Sequence, residues 1–186
     1  MSLIESEKYL PVGHLDLPEV DLDKIRLEAE SFLLKYPFRP GQVCLNDTGK
    51  SANFDAYEGL GTAFDDESKK LKFREKDFTR WSPELENTEI LLQIKKIEAL
   101  GLPVGRTRLM QMKPRSCYSF HTDATERIHL VINPDPQAVM IFLPSTVVQI
   151  PFDKKFHVVD TTKTHSAMNG GKLDRLHLVI ALAEEF

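Results

Sequence analysis

The chain has 186 residues, long enough for one domain with a full core. Its formal charge of −4 is spread without a basic block, which speaks against a nucleic-acid surface, and no apolar run approaches the ~20 residues of a membrane span. Two cysteines, Cys44 and Cys117, with no CxxC pair, exclude a disulfide framework and a cysteine-rich zinc site and fit a reducing cytoplasm.

The opening stretch "MSLIESEKYLPVGHLDL" lacks a basic start followed by a long apolar core. No signal peptide is therefore expected, and the chain is expected to be soluble and cytoplasmic, with no membrane partner. Asp21 is placed to cap a helix through "LDKIRLEAESFLLKY", whose Leu22, Ile25, Ala29, Phe32 and Leu33 recur at helical spacing. Pro37 to Gly41 ends it. A second helix is expected from Ser82 as N-cap and Pro83 as first helical residue to Gly101 just past the end. Ile90, Leu91, Ile94, Ile97 and Leu100 form its apolar stripe, expected to pack the core.

Between the helices lies "NDTGKSANFDAYEGLGTAFDDESKKLKFREKDFTRW", residues 46–81, polar but studded with Phe54, Tyr57, Phe64, Phe73, Phe78 and Trp81. It reads as a long loop region anchored by aromatics, of the kind that builds lids and binding loops. Phe73, Phe78, Arg80 and Trp81 are candidates for a substrate wall, with loop anchoring as the alternative.

From Arg106 the pattern changes to short apolar or alternating runs separated by Pro, Asn and Gly. Strands are expected near Arg106–Met112, Tyr118–His121, Ile128–Ile132, Ala138–Leu143, Val147–Ile150, Phe156–Asp160, Ser166–Met168 and Leu176–Ala183. So many short strands suggest a β-sandwich, jelly roll or barrel. Residues 1–186 are read as a single domain. Residues 1–105 form mixed helical and loop support on the substrate side, and 106–186 form the β core.

The hexapeptide "RIHLVI" at Arg127–Ile132 returns as "RLHLVI" at Arg175–Ile180. In strands, Arg127, His129 and Val131 share one face and Ile128, Leu130 and Ile132 the other, and likewise for Arg175, His177 and Val179. The apolar faces want a core. The Arg/His faces look either into water or into a pocket suited to an anion.

His121 and Asp123, two apart in "FHTDATERIHLVI", project from one face of an extended chain and can share a metal ion. His165, in "VVDTTKTHSAMN", can supply a third ligand. Two imidazoles and one carboxylate leave coordination positions open, which suits non-haem Fe(II), with zinc as the chemical competitor. Arg175 follows His165 by ten residues. The intervening "NGG" offers a tight turn returning the chain antiparallel, so that Arg175 presents a fork to a carboxylate.

The combined "HTD…H…R" pattern, covering roughly Arg106 to Ala183, resembles the Fe(II)/2-oxoglutarate-dependent dioxygenases, and more narrowly the aspartyl/asparaginyl β-hydroxylase group with its free-proline hydroxylases. The resemblance implies a mainly β double-stranded β-helix (jelly roll, cupin-like) with flanking helices. It implies that His121, Asp123 and His165 hold Fe(II) and are the catalytic set. Arg175 would bind the distal carboxylate of the co-substrate 2-oxoglutarate, with Arg127 and His129 as further cofactor-binding residues. The implied activity is hydroxylation of an amino acid or peptidyl side chain with O2, releasing succinate and CO2. Because Asp123 is present, the chain is similar to the branch that keeps the carboxylate ligand.

A non-oxidative cupin-like protein binding a metal and a small acid, as sensor or isomerase, would use the same triad. A β-sandwich interaction module with chance histidines is the third alternative. His157 is expected on a strand exterior, and His177 either on the pocket wall or in the core. His14 is expected to be structural or exposed, and Asp160 in a turn. Ser119, Asn169 and Cys117 lie near the presumed site. Oligomeric state and substrate have no signature in the sequence.

Overall fold

The computed structural model describes residues 11–61 and 72–183. In chain order the elements are β1 (Val12–His14), α1 (Leu22–Lys35), β2 (Gln42–Cys44), β3 (Asn46–Asp47), a 3-10 turn at Glu75–Asp77, β4 (Arg80–Trp81), a 3-10 turn at Pro83–Leu85 and α2 (Glu89–Ala99). Then follow β5 (Val104–Met112), β6 (Ser116–Cys117), β7 (Arg127–Asn133), β8 (Ala138–Phe142), β9 (Thr146–Val148), β10 (His157–Val159), β11 (His165–Asn169) and β12 (Arg175–Leu182). No helix among the described residues is long and apolar enough to cross a membrane.

The eight strands from β5 on fall into two antiparallel sheets. β10, β7, β12 and β5 are neighbours in one, extended at its edges by β1 and β2, and β6, β11, β8 and β9 form the other. The chain passes repeatedly between the sheets, which is the winding of a double-stranded β-helix, a jelly roll of cupin type. Seven of the eight expected strands have their counterparts; the eighth, Tyr118–His121, contributes only an isolated bridge at His121. The strand pairing there is made instead by β6, two residues earlier at Ser116–Cys117. Pairing resumes at the His121↔His165 bridge. Cys117 to His121 advances four residues while the partner strand retreats three, from Met168 to His165, so one extra residue is accommodated as a bulge.

α1 starts where its cap predicts: the Asp21 carboxylate accepts a hydrogen bond from Lys24 N at 3.1 Å. α2 begins later than expected. Pro83 opens only a single 3-10 turn, Asn87 takes φ +62°, and the helix restarts with Thr88 as N-cap. The Glu28 carboxylate of α1 also accepts from Glu89 N at 2.8 Å and Ile90 N at 3.0 Å. Two orphan amides are thereby satisfied by the neighbouring helix, and a negative charge sits at the positive helix end. Gly101 ends α2 with φ +83°.

Alternation divides the core. Ile128, Leu130, Ile132, Leu178 and Ile180 leave the large sheet on its outer face and pack Ile25, Ala29, Phe32, Ile90, Ile94 and Ile97 of the helices. Each such burial is worth about 1.5–3 kcal/mol. Between the sheets lies a smaller apolar layer of Met112, Val131, Met140, Phe142, Ile150, Val159 and Ala167. Much of the rest of the inner face is polar, with Arg127, His129, Arg175 and His177 buried there.

Candidate metal centre

The echo strands are direct neighbours: β7 and β12 pair antiparallel with His129 opposite Val179 and Arg127 opposite Ala181. Their Arg/His faces turn inward, and Arg127, His129, Arg175 and His177 are all buried. A cavity of about 950 Å³ opens there, lined by Arg127, His129 and Arg175 together with His121, Asp123 and His165.

The bulge after β6 aims His121 at this cavity. His121 and His165 exchange backbone hydrogen bonds at 2.9 Å, which brings their ring centroids to 4.4 Å. Asp123 N is tied to Thr161 O at 2.9 Å. One ligand atom from each of His121, Asp123 and His165 lies within 4.8 Å of the others. His121 Nδ1 faces Ser119 O at 2.8 Å and His165 Nδ1 faces Lys163 O at 2.9 Å. A carbonyl can only accept, so each Nδ1 carries the proton and each Nε2 presents a lone pair. Burial, opposed by Lys163 O and Asp123, keeps His165 below its ordinary pKa and thus neutral. Burial raises Asp123, but Arg127 outweighs it and the carboxyl stays below its usual range. Two imidazoles and one carboxylate are a donor set that fits a divalent transition metal with open positions.

Arg127 is fully engaged. Its Nε donates to Asp123 Oδ2 at 3.1 Å, Nη1 to Thr125 Oγ1 at 3.2 Å and Nη2 to Glu75 Oε1 at 2.9 Å. Glu75 also accepts from Arg106 Nε at 3.0 Å and Nη2 at 2.9 Å. The result is a buried relay, Arg106–Glu75–Arg127–Asp123. Burial raises the Glu75 carboxyl, and Arg127 and Arg106 more than compensate, so it is held below its ordinary value. Gly105 permits the arrangement: a Cβ there would stand 2.7 Å from Glu75 O.

Arg175 differs. Its Nε is buried and has no hydrogen-bond partner among the described residues, as is also true of His129 Nε2 and Arg108 Nε. Burial, opposed only by Tyr118, lowers the Arg175 guanidinium to about 10. His129 and His177 meet edge to face with Nδ1 atoms 3.4 Å apart, and burial first, then Arg175, pushes both well below the ordinary imidazole pKa. His177 also lines a smaller cavity of about 440 Å³ that shares Arg175.

Two local expectations change. The "NGG" segment does not close a hairpin, because β11 and β12 belong to different sheets. It carries the chain across, held by Asn169 Nδ2 to Met112 O (3.0 Å) and Asp135 Oδ2 from Leu173 N (2.9 Å). His157 is buried rather than exterior, because it shares the inward face of β10 with Val159 and its Nε2 donates to Asp153 Oδ1 at 2.8 Å.

Of the proposed wall residues, Phe73 lines the cavity. Phe78 is buried against it, Arg80 pairs with Asp47, and Trp81 packs the outer core. Phe64 lies outside the described residues. Asp160 sits in its turn, Asn169 is structural, Ser119 lines the cavity, and Cys117 is exposed. Glu75, Arg106 and Arg108 were not anticipated. The two arginines were accessible by the alternation that exposed the echo, since "VGRTRLMQM" puts both on one strand face.

No protein-family model matches the sequence, and no curated protein matches it. Solved structures share its architecture. The non-heme alpha-ketoglutarate-dependent carbocyclase SnoK from nogalamycin biosynthesis is similar at 14% identity and TM-score 0.51, over 93% of this chain and 80% of that one. A Pseudomonas putida prolyl-4-hydroxylase is 13% identical with TM-score 0.46, over 95% and 89%. A cupin domain from Bordetella pertussis Tohama I is 9% identical with TM-score 0.37, over 42% and 81%. At 14% identity the likeness to the carbocyclase is one of fold. The chain is a cupin-like double-stranded β-helix with a His/Asp/His donor set between its sheets.

Proposed function

We propose that this protein is an Fe(II)- and 2-oxoglutarate-dependent dioxygenase that hydroxylates an amino acid or a peptidyl side chain, akin to the aspartyl/asparaginyl β-hydroxylase group. The observation that carries this reading is that His121, Asp123 and His165 converge in the cavity that also holds the buried, unpartnered Arg175. An ion pocket without an acid would not need that guanidinium, whose burial is costly until a carboxylate meets it.

His121 Nε2, His165 Nε2 and one Asp123 oxygen would hold the iron. When bound with O2 and 2-oxoglutarate, the iron supplies the oxidising power for C–H hydroxylation, with succinate and CO2 as products. Arg175 fixes the distal carboxylate, and its penalty when unpaired selects against acids lacking that group. His129, neutral and with a free Nε2, offers a further polar contact to the co-substrate. Arg127 braces Asp123 and leaves the direct carboxylate contact to Arg175. Phe73 adds an apolar wall to the cavity. The two free cysteines fit a cytoplasmic setting.

The test is succinate formation that requires Fe(II), 2-oxoglutarate and O2, screened over free amino acids and peptides. Stoichiometric binding of metal and 2-oxoglutarate with no oxygen consumption for any substrate would favour a non-oxidative cupin-like sensor or isomerase instead.

A further inference from the structure

The cavity carries more positive charge than the proposed co-substrate needs. Four buried arginines, Arg106, Arg108, Arg127 and Arg175, line it with the exposed Arg74 and Lys76, against two carboxylates among the described residues, Glu75 and Asp123. The relay consumes Arg106 and Arg127. Of the buried arginines, Arg175 and Arg108 remain, and a divalent metal would add two further charges.

Arg108 stands apart from Arg175. On β5 it faces Val179 of β12, whereas Arg175 faces Met112, four residues further along β5. At ~3.3 Å per residue this separates the two backbone rows by roughly 13 Å, so the two guanidiniums arise from different parts of the cavity wall. Arg108 is 7% exposed. Its Nη1 donates to Gln42 Oε1 at 2.8 Å, which orients the guanidinium. Its Nε is buried without a partner among the described residues. Burial, reinforced by Arg106 and Arg127, pushes its guanidinium down to about 10. The edge formed by Nε and Nη2 is the fork that matches a carboxylate bidentately.

We propose that Arg108, oriented by Gln42, is the substrate's anion anchor: the substrate carries a carboxylate that docks on the Nε–Nη2 edge of Arg108 while its reacting carbon lies toward the His/Asp/His set. The inference rests on the dioxygenase reading above and narrows it to a small acid, such as a free amino acid, over an internal peptide side chain. Arg108 and the metal ligands line one cavity, so a small molecule can span them. A second carboxylate also brings the charge of the loaded cavity closer to balance.

The test compares wild type with Arg108→Met, both loaded anaerobically with Fe(II), with and without 2-oxoglutarate. Calorimetry is run with the free L-α-amino acids and, as probes lacking the charge, their C-terminal amides. The expected result is at least one acid that binds about tenfold or more tighter than its amide to wild type, a preference that falls below about threefold in Arg108→Met. Affinity for 2-oxoglutarate itself should stay within about twofold, and Arg108→Met should melt no lower than wild type, because an unpaired buried charge is removed. Acids and amides binding alike, neither binding, or a preference that survives in Arg108→Met would each overturn the assignment. So would a large fall in melting temperature, which would make the guanidinium a structural group. If wild type fails to bind 2-oxoglutarate, the dioxygenase reading fails, and the acid-to-amide contrast measured with metal alone still decides for or against Arg108.

Discussion

Glu75 Oε1 accepts a hydrogen bond from Arg127 Nη2 at 2.9 Å, and both residues are buried. The pair joins the loop region before α2 to β7, the strand that follows His121 and Asp123, and through Arg127 it fixes Asp123. A residue outside the β core thereby braces Asp123 of the candidate metal centre.

Glu75→Ala leaves two buried guanidiniums without their carboxylate. Removing one partner of a buried ion pair costs about 3–5 kcal/mol, so chemical denaturation should show a loss of that order. Metal affinity should fall about 10–100-fold, as expected when a group that orients a ligand is lost. Unchanged stability and metal affinity would show that Glu75 braces nothing.

Gly105→Ala probes the same contact from the other side. The added Cβ meets backbone, Glu75 O at 2.7 Å and Ala181 O at 3.1 Å, so the 3-10 turn must shift. A cost of about 1–3 kcal/mol is expected from overpacking, with metal affinity reduced in the same direction.

Metal binding should stabilise the fold by mass action, about 2.7 kcal/mol when free metal is at 100 times its dissociation constant. His165→Ala and Asp123→Asn should abolish that increment in thermal melts. His157→Ala lies outside the donor set and should retain it.

The Lys35 ammonium, then the Ser82 hydroxyl, lower the Glu84 carboxyl to about 2. Its folded pKa lies below the ~4.3 of an unfolded glutamate, so its contribution is fully present above that value and is lost as pH falls toward 2. Asp47 adds to this in the same direction: burial raises it, but Arg80 and the amides of Asp55 and Gly49 hold it lower. Denaturation curves between pH 6 and 2 should show declining stability, with a shallower decline in Glu84→Gln.

Cys117 is exposed, whereas Cys44 is buried and burial raises its thiol to about 11. Iodoacetamide should therefore label Cys117 alone in the native protein, as read by peptide mass spectrometry.

The strand pattern, the inward Arg/His faces of "RIHLVI" and "RLHLVI", and the approach of His121 to Asp123 were legible because all follow period-2 alternation. The start of α2 was misread because Ser82-Pro83 is a good local start signal, while the Glu28 carboxylate that caps the true start comes from another helix. His157 was misplaced because a three-residue strand gives alternation little to work with. Glu75 could not be found at all: it is one acidic residue in a charged loop, and only tertiary packing brings it to Arg127.

The most direct test of the central claim is an anaerobic titration of the protein with Fe(II) and 2-oxoglutarate, read by visible absorption. Binding of both at one centre predicts a metal-to-ligand charge-transfer band in wild type that is lost in His165→Ala. In Arg175→Ala it should require far more 2-oxoglutarate. Absence of the band in wild type, or an Arg175→Ala titration that superimposes on it, would contradict the account.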